Sequence, residues 1–190
     1  GGGVFSARDR AGRTDANAQR GAVKTVGVLI AVALALALQT TLAQLLVGGT
    51  AAIDLVLVAV VSVALTTGPV SGMLAGSVAG LIQDSLSTGV LGIGGLSKSV
   101  IGFVAGAISQ QFILTSALPR FLMFVGATVA HAALFMGLNV LLGLRTFPAP
   151  WKAVASQAIG NAVVGMVAFA IMEALPGAIG RRRAGRRPRG

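Results

Sequence analysis

The chain has no cysteine and no tyrosine, a single histidine, a single tryptophan and only five acidic residues among 190. Without cysteine there are no disulfides and no thiolate metal sites. The lone His131 stands inside an apolar run with no ligand partner at metal spacing, and reads as a polar contact that joins helices. Asp9 and Asp15 lie near the N-terminus, which leaves Asp54, Asp84 and Glu173 for any acid–base chemistry. Catalysis needs a nucleophile beside a base, or paired carboxylates, and neither HExxH nor GxSxG occurs. The stretch Gly92-Ile93-Gly94-Gly95-Leu96-Ser97-Lys98-Ser99 resembles a phosphate-binding loop, but Ser97 stands where the final glycine belongs and no buried strand precedes it. No enzymatic activity, cofactor or metal is expected.

What the chain does have is apolar length. It is 55% hydrophobic and 11% charged, and its apolar residues come in runs of membrane length instead of amphipathic stripes. A soluble domain is excluded on that pattern. The net charge of +10 could point to nucleic acid, but the basic residues gather at the two ends and hardly interrupt the middle, so no nucleic-acid partner is expected.

The runs divide the chain into a basic N-terminal tail (1–22), a transmembrane domain (23–176) and an Arg-rich C-terminal tail (177–190). Six spans are expected, at about 23–47, 51–65, 70–86, 93–114, 119–144 and 153–175. Gly68-Pro69 separates the second from the third, because proline lacks a backbone donor and disfavours helix in the residue before it. Pro176-Gly177 is expected to end the sixth. With both termini cytoplasmic, twelve lysines and arginines fall inside and only Arg145 and Lys152 outside, which is the orientation the positive-inside rule selects. The fold class is an all-α integral membrane protein. The arginines from Arg181 to Arg189 hold the C-terminus inside and are suited to anionic lipid headgroups.

Two glycine stripes organise the centre. Gly72, Gly76, Gly80 and Asp84 share one helical face, and Lys98, Gly102 and Gly106 share another. In a hairpin, Asp84 closes the first stripe and Lys98 opens the second, so an ion pair that fixes the hairpin, or a polar site for a partner helix or ligand at the outer face, is expected there, since an unpaired charge at membrane depth is costly. These five glycines, with Asp84 and Lys98, are candidates for helix packing or for binding a partner helix. Gln39 in the first span and Gln157 and Asn161 in the sixth are candidates for hydrogen bonds between helices.

The segment Ala79-Gly80-Leu81-Ile82-Gln83-Asp84-Ser85-Leu86-Ser87-Thr88-Gly89-Val90-Leu91-Gly92, continued by Ile101-Gly102-Phe103-Val104-Ala105-Gly106, resembles the MreD family of bacterial rod shape-determining proteins. Leu38-Gln39, Ile53-Asp54-Leu55 and Asn161 add to the likeness, while Ile53 and Val164-Gly165 stand where proline is common in the family. The resemblance implies a non-enzymatic inner-membrane scaffold of the cell-elongation complex, which supports peptidoglycan synthesis along the side wall. The partners it implies are an MreC-like bitopic protein and, directly or through it, the elongation polymerase, its transpeptidase and the actin-like MreB. The family's fold is similar to the substrate-binding subunit of energy-coupling-factor vitamin transporters, which is the alternative function. The two diverge in what they require. A scaffold leaves a small-residue face such as Gly72, Gly76 and Gly80 open to another helix. A transporter subunit packs those glycines internally and keeps an outward-facing polar cavity near Asp54, Asp84 and Lys98. Nine aromatics, eight Phe and one Trp, are few for a ligand pocket, which favours the scaffold.

Overall fold

The computed structural model describes residues 30, 32–39, 53–87, 90–112, 116–144 and 150–184, with side chains as far as residue 171. Among the described residues there are six helices and no strand: α1 (residues 32–39), α2 (Leu55–Thr67), α3 (Pro69–Ser85), α4 (Ile93–Gln111), α5 (Ala117–Leu141) and α6 (Trp151–Ala184). The tail 1–22, most of the first expected span and the last six residues lie outside the described residues.

The break at Gly68-Pro69 is a tight hairpin. Gly68 takes φ 99°, a conformation open to glycine, its N–H donates to the Ala64 carbonyl at 2.9 Å, and its own carbonyl accepts from Gly72 N at 3.0 Å. Proline follows at the first helical position, where a missing N–H costs no helical bond. The chain folds back so closely that a Cβ on Gly72 would lie 2.6 Å from that of Ala64. Val56, Val60 and Val63 of α2 thereby pack with Ala75 and Ala79 of α3, and Val32 and Leu36 of α1 close the same cluster.

Backbone contact without side chains between them joins α3 to α4. A Cβ on Gly72 would meet the Gly102 carbonyl, one on Gly76 the Lys98 carbonyl, one on Gly80 the backbone of Gly94 and Gly95, and one on Gly106 the backbone of Gly68 and Pro69. The two expected stripes are the two halves of one seam, and Ser77 and Ser99 add a hydroxyl–hydroxyl bond of 2.7 Å beside it. Helices approach this closely only where small residues face each other.

The pair α5–α6 is built on a regular antiparallel ladder. The Arg120 guanidinium sits 5.1 Å from the centre of the Phe169 ring, the Phe124 ring fills the space over Gly165, and Thr128 meets Asn161. A second core of Leu57, Val61, Ile101, Phe124, Ala162 and Phe169 ties this pair to α2 and α4. Outside, the surface is apolar: Ile159, Val163, Val167 and Ile171 form an exposed stripe along α6, and Val70, Leu74, Val78 and Leu81 another along α3. Asp54, Lys98, Thr128, His131 and Asn161 are buried. A polar interior under an apolar exterior suits a bilayer.

Among the described residues, two helices are long and apolar enough to cross a membrane by themselves, Ala117–Leu141 and the part of α6 from Trp151 to Ile171. Two of the others are short: α2 has 13 residues, fewer than the span expected at 51–65, and α3 has 17, as expected at 70–86, about 20 and 26 Å at 1.5 Å per residue against a hydrocarbon core of about 30 Å. The helical backbone of α6 also runs on through Pro176-Gly177 to Ala184, against the expected stop. One proline deletes a single donor, and the alanines and arginines around it favour helix.

Candidate functional site

Because α2 is short, its N-terminus lies inside the bundle, where its free N–H groups need protein partners. Three side chains supply them. Asp54 is the N-cap, its Oδ1 accepting from Leu57 N at 2.9 Å. Gln39 of α1 brings Oε1 to Val56 N at 3.0 Å, and Asn161 of α6 brings Oδ1 to Asp54 N at 2.8 Å. The Asn161 amide also donates to Thr128 Oγ1 at 3.1 Å, which extends the chain of bonds to α5. Gln39 and Asn161 therefore act between helices, as expected from their positions.

The other Asp54 oxygen, Oδ2, lies 2.9 Å from Lys98 Nζ. Both side chains are almost completely removed from solvent, Asp54 at 4% and Lys98 at 3% exposure. On its other side Lys98 Nζ lies 3.3 Å from His131 Nε2. An ammonium only donates, so Nε2 accepts and the ring hydrogen belongs on Nδ1. His131 stacks on Phe135 one turn along α5, with ring centres 6.0 Å apart. The centre of the bundle is thus a charge-balanced Asp54–Lys98 pair, held by α2, α4 and α5, with Asp54 N joined to α6 and the neighbouring Val56 N joined to α1.

This corrects the expected Asp84–Lys98 pair. Asp84, near the end of α3, lies over the start of α4, and its Oδ2 accepts from Gly92 N at 2.9 Å, Gly94 N at 3.0 Å and Gly95 N at 3.2 Å. Four N–H groups at a helix start have no helical acceptor, and a carboxylate there answers both them and the helix dipole. Gly94 leaves the space, since a Cβ on it would run into the Asp84 carboxylate. Lys98 sits one turn further along α4, on the side that faces α2 and α5.

Next to this centre an open cavity of about 500 Å³ lies between α3 and α4 on one side and α5 and α6 on the other. Gln83 and Asp84 of α3, Lys98 of α4, His131 and Phe135 of α5 and Gln157 of α6 line it. Gln157 makes no hydrogen bond within the described residues, so it contributes to the cavity wall instead of an interhelical contact.

All of Gly72, Gly76, Gly80, Gly102 and Gly106 are spent on the α3–α4 seam. The open glycine face expected of a scaffold is not there; the glycines pack internally, as expected of a transporter subunit, and a cavity lies at Asp84 and Lys98 but is not lined by Asp54. Sequence reasoning missed the meeting of Asp54, Lys98 and His131. The one local signal was an Asp placed directly before the apolar run of α2, the mark of an N-cap.

A family model described as rod shape-determining protein MreD matches residues 20–176. The match takes in every helix described above up to Pro176, the buried pair, the glycine seam and the cavity wall. Neither the curated proteins nor the solved structures gave a significant match.

Proposed function

The chain belongs to the rod shape-determining protein MreD family, and we propose that it serves rod-shape determination as a non-enzymatic, six-span scaffold in the bacterial inner membrane, with both termini cytoplasmic. The observation that carries this reading is the family match over 20–176, which spans almost the whole helical bundle. The exposed aliphatic stripes on α3 and α6 support residence in the bilayer, and the concentration of arginine and lysine at the two ends supports the orientation.

In this role the protein binds partner transmembrane helices and keeps peptidoglycan synthesis on the side wall. Its partners are an MreC-like bitopic protein and, through it or directly, the elongation polymerase and transpeptidase. The glycine seam makes the bundle rigid instead of receiving the partner, so partner contact falls to the lipid-facing surface. The Arg-rich tail adds attraction to anionic lipid, at about 1 kcal/mol for each basic residue near the surface.

A second reading, the substrate-binding subunit of an energy-coupling-factor vitamin transporter, is favoured by the sealed glycines and the polar cavity. Purification of the tagged chain from its native host in mild detergent, with mass spectrometry of bound proteins, separates the two. Recovery of an MreC-like protein with wall-synthesis enzymes is the expected result. Recovery of paired ATPases with a transmembrane coupling subunit would overturn the scaffold reading.

A further inference from the structure

The cavity between the two helix pairs carries hydrogen-bonding capacity that the fold leaves unused. Lys98 has three ammonium N–H groups and two partners, Asp54 and His131. With His131 Nε2 accepting from Lys98, its Nδ1–H has no partner among the described residues. On the α3 side Asp84 uses only Oδ2 for the start of α4, which leaves Oδ1. Gln83 Oε1 is fully buried and has no hydrogen-bond partner among the described residues. An unanswered buried acceptor of this kind costs about 1–3 kcal/mol. All four residues line the same cavity, with donors at the α4–α5 wall and acceptors at the α3 wall.

We propose that this cavity binds a zwitterionic group, an anion and a primary ammonium a few bonds apart. The anion accepts from Lys98 Nζ and His131 Nδ1–H, and the ammonium donates to Asp84 Oδ1 and Gln83 Oε1. Phe135 and Met136 give the apolar contact on the α5 side. Charge decides between ligand classes. Asp54 already balances Lys98, and Asp84 adds a negative charge, so a plain anion meets a net negative wall. A plain cation leaves the Lys98 and His131 donors without acceptors. A zwitterion answers both sets. Its volume of about 500 Å³ admits a headgroup or a small free molecule. The same chemistry is found in the phosphoethanolamine headgroup of a lipid and in small soluble zwitterions, and the site needs nothing of the shape-determining role.

The test uses the full chain purified in detergent, with its thermal transition followed as probes are added. Phosphoethanolamine is expected to raise the transition, while ethanolamine alone and glycerol phosphate alone do not. Gln83 and Gln157 make no hydrogen bond within the bundle, so Gln83→Leu and Gln157→Leu are expected to fold; Gln83→Leu weakens the response about tenfold, the effect of about 1.4 kcal/mol. A parallel arm compares nanodiscs of phosphatidylethanolamine with nanodiscs of phosphatidylcholine, whose quaternary ammonium has no N–H to donate. Stabilisation by the ethanolamine lipid with no response to the free headgroup identifies a lipid, and a response to the free headgroup identifies a soluble ligand. No response to either zwitterion, an equal response to ethanolamine or glycerol phosphate alone, or an unchanged response in Gln83→Leu overturns the proposal.

Discussion

Lys98 Nζ lies 2.9 Å from Asp54 Oδ2, and this one contact joins the helix that opens the first hairpin to the helix that closes the glycine seam. Asp54 holds both the ion pair and the cap of α2, so a single carboxylate answers two needs of a bundle whose second helix starts inside it. A buried pair of this kind is weak evidence for net stability, because desolvation offsets much of the attraction.

The glycine seam gives the first prediction. Gly76 faces the backbone of Lys98 with no room for a Cβ, so Gly76→Val forces α3 and α4 apart and is expected to destabilise the bundle by about 1–3 kcal/mol or prevent accumulation. Gly126 on α5 has open space around it, and Gly126→Ala is expected to stay within about 1 kcal/mol of the parent. Thermal unfolding of the two purified variants measures both. Equal behaviour would mean that the seam is not tight.

Asp84 acts through the start of α4 in this account. Asp84→Ala is expected to cost about 0.5–2 kcal/mol, the range for loss of an N-cap acceptor. Gly94→Ala should harm the parent more than it harms Asp84→Ala, because the new methyl group collides with the carboxylate and not with the truncated side chain. Unfolding midpoints of the four proteins decide this, and simple additivity would contradict the cap.

Asn161 and Gln157 lie one helical turn apart and should behave differently. Asn161→Leu removes the acceptor for Asp54 N and the donor to Thr128 from a residue with 0% exposure, at an expected cost of about 1–3 kcal/mol. Gln157→Leu removes no hydrogen bond of the bundle and is expected to be near neutral in ligand-free detergent. Membrane accumulation at matched expression, with unfolding of the purified proteins, checks the pair.

The sequence made the helical class, the division at Gly68-Pro69 and the two glycine stripes legible, because periodicity and proline chemistry are local, but it left open whether the stripes pack on each other or on another chain. It also made Gln39 and Asn161 legible as interhelical groups. The partner of Lys98 was not. A hairpin argument looks to the residue nearest in sequence across the turn, which is Asp84, but the free N–H groups at the start of α4 claim that carboxylate. Asp54 becomes available only because α2 starts inside the bundle, and helix depth is set by packing of all six helices together. The run of α6 through Pro176 was missed for a simpler reason: proline is a weaker stop inside a good helix-forming context than at its edge.

The most direct test of the charged centre is a pair of double-mutant cycles, one on Asp54 and Lys98 and one on Asp84 and Lys98, each with leucine and read by unfolding of the purified protein. Removing one member of a buried pair leaves the other uncompensated, at about 3–5 kcal/mol, so Asp54→Leu and Lys98→Leu should each be severe and the double variant much less than their sum. Asp84→Leu and Lys98→Leu should simply add. Strong coupling in the Asp84 cycle and none in the Asp54 cycle would contradict the centre described here.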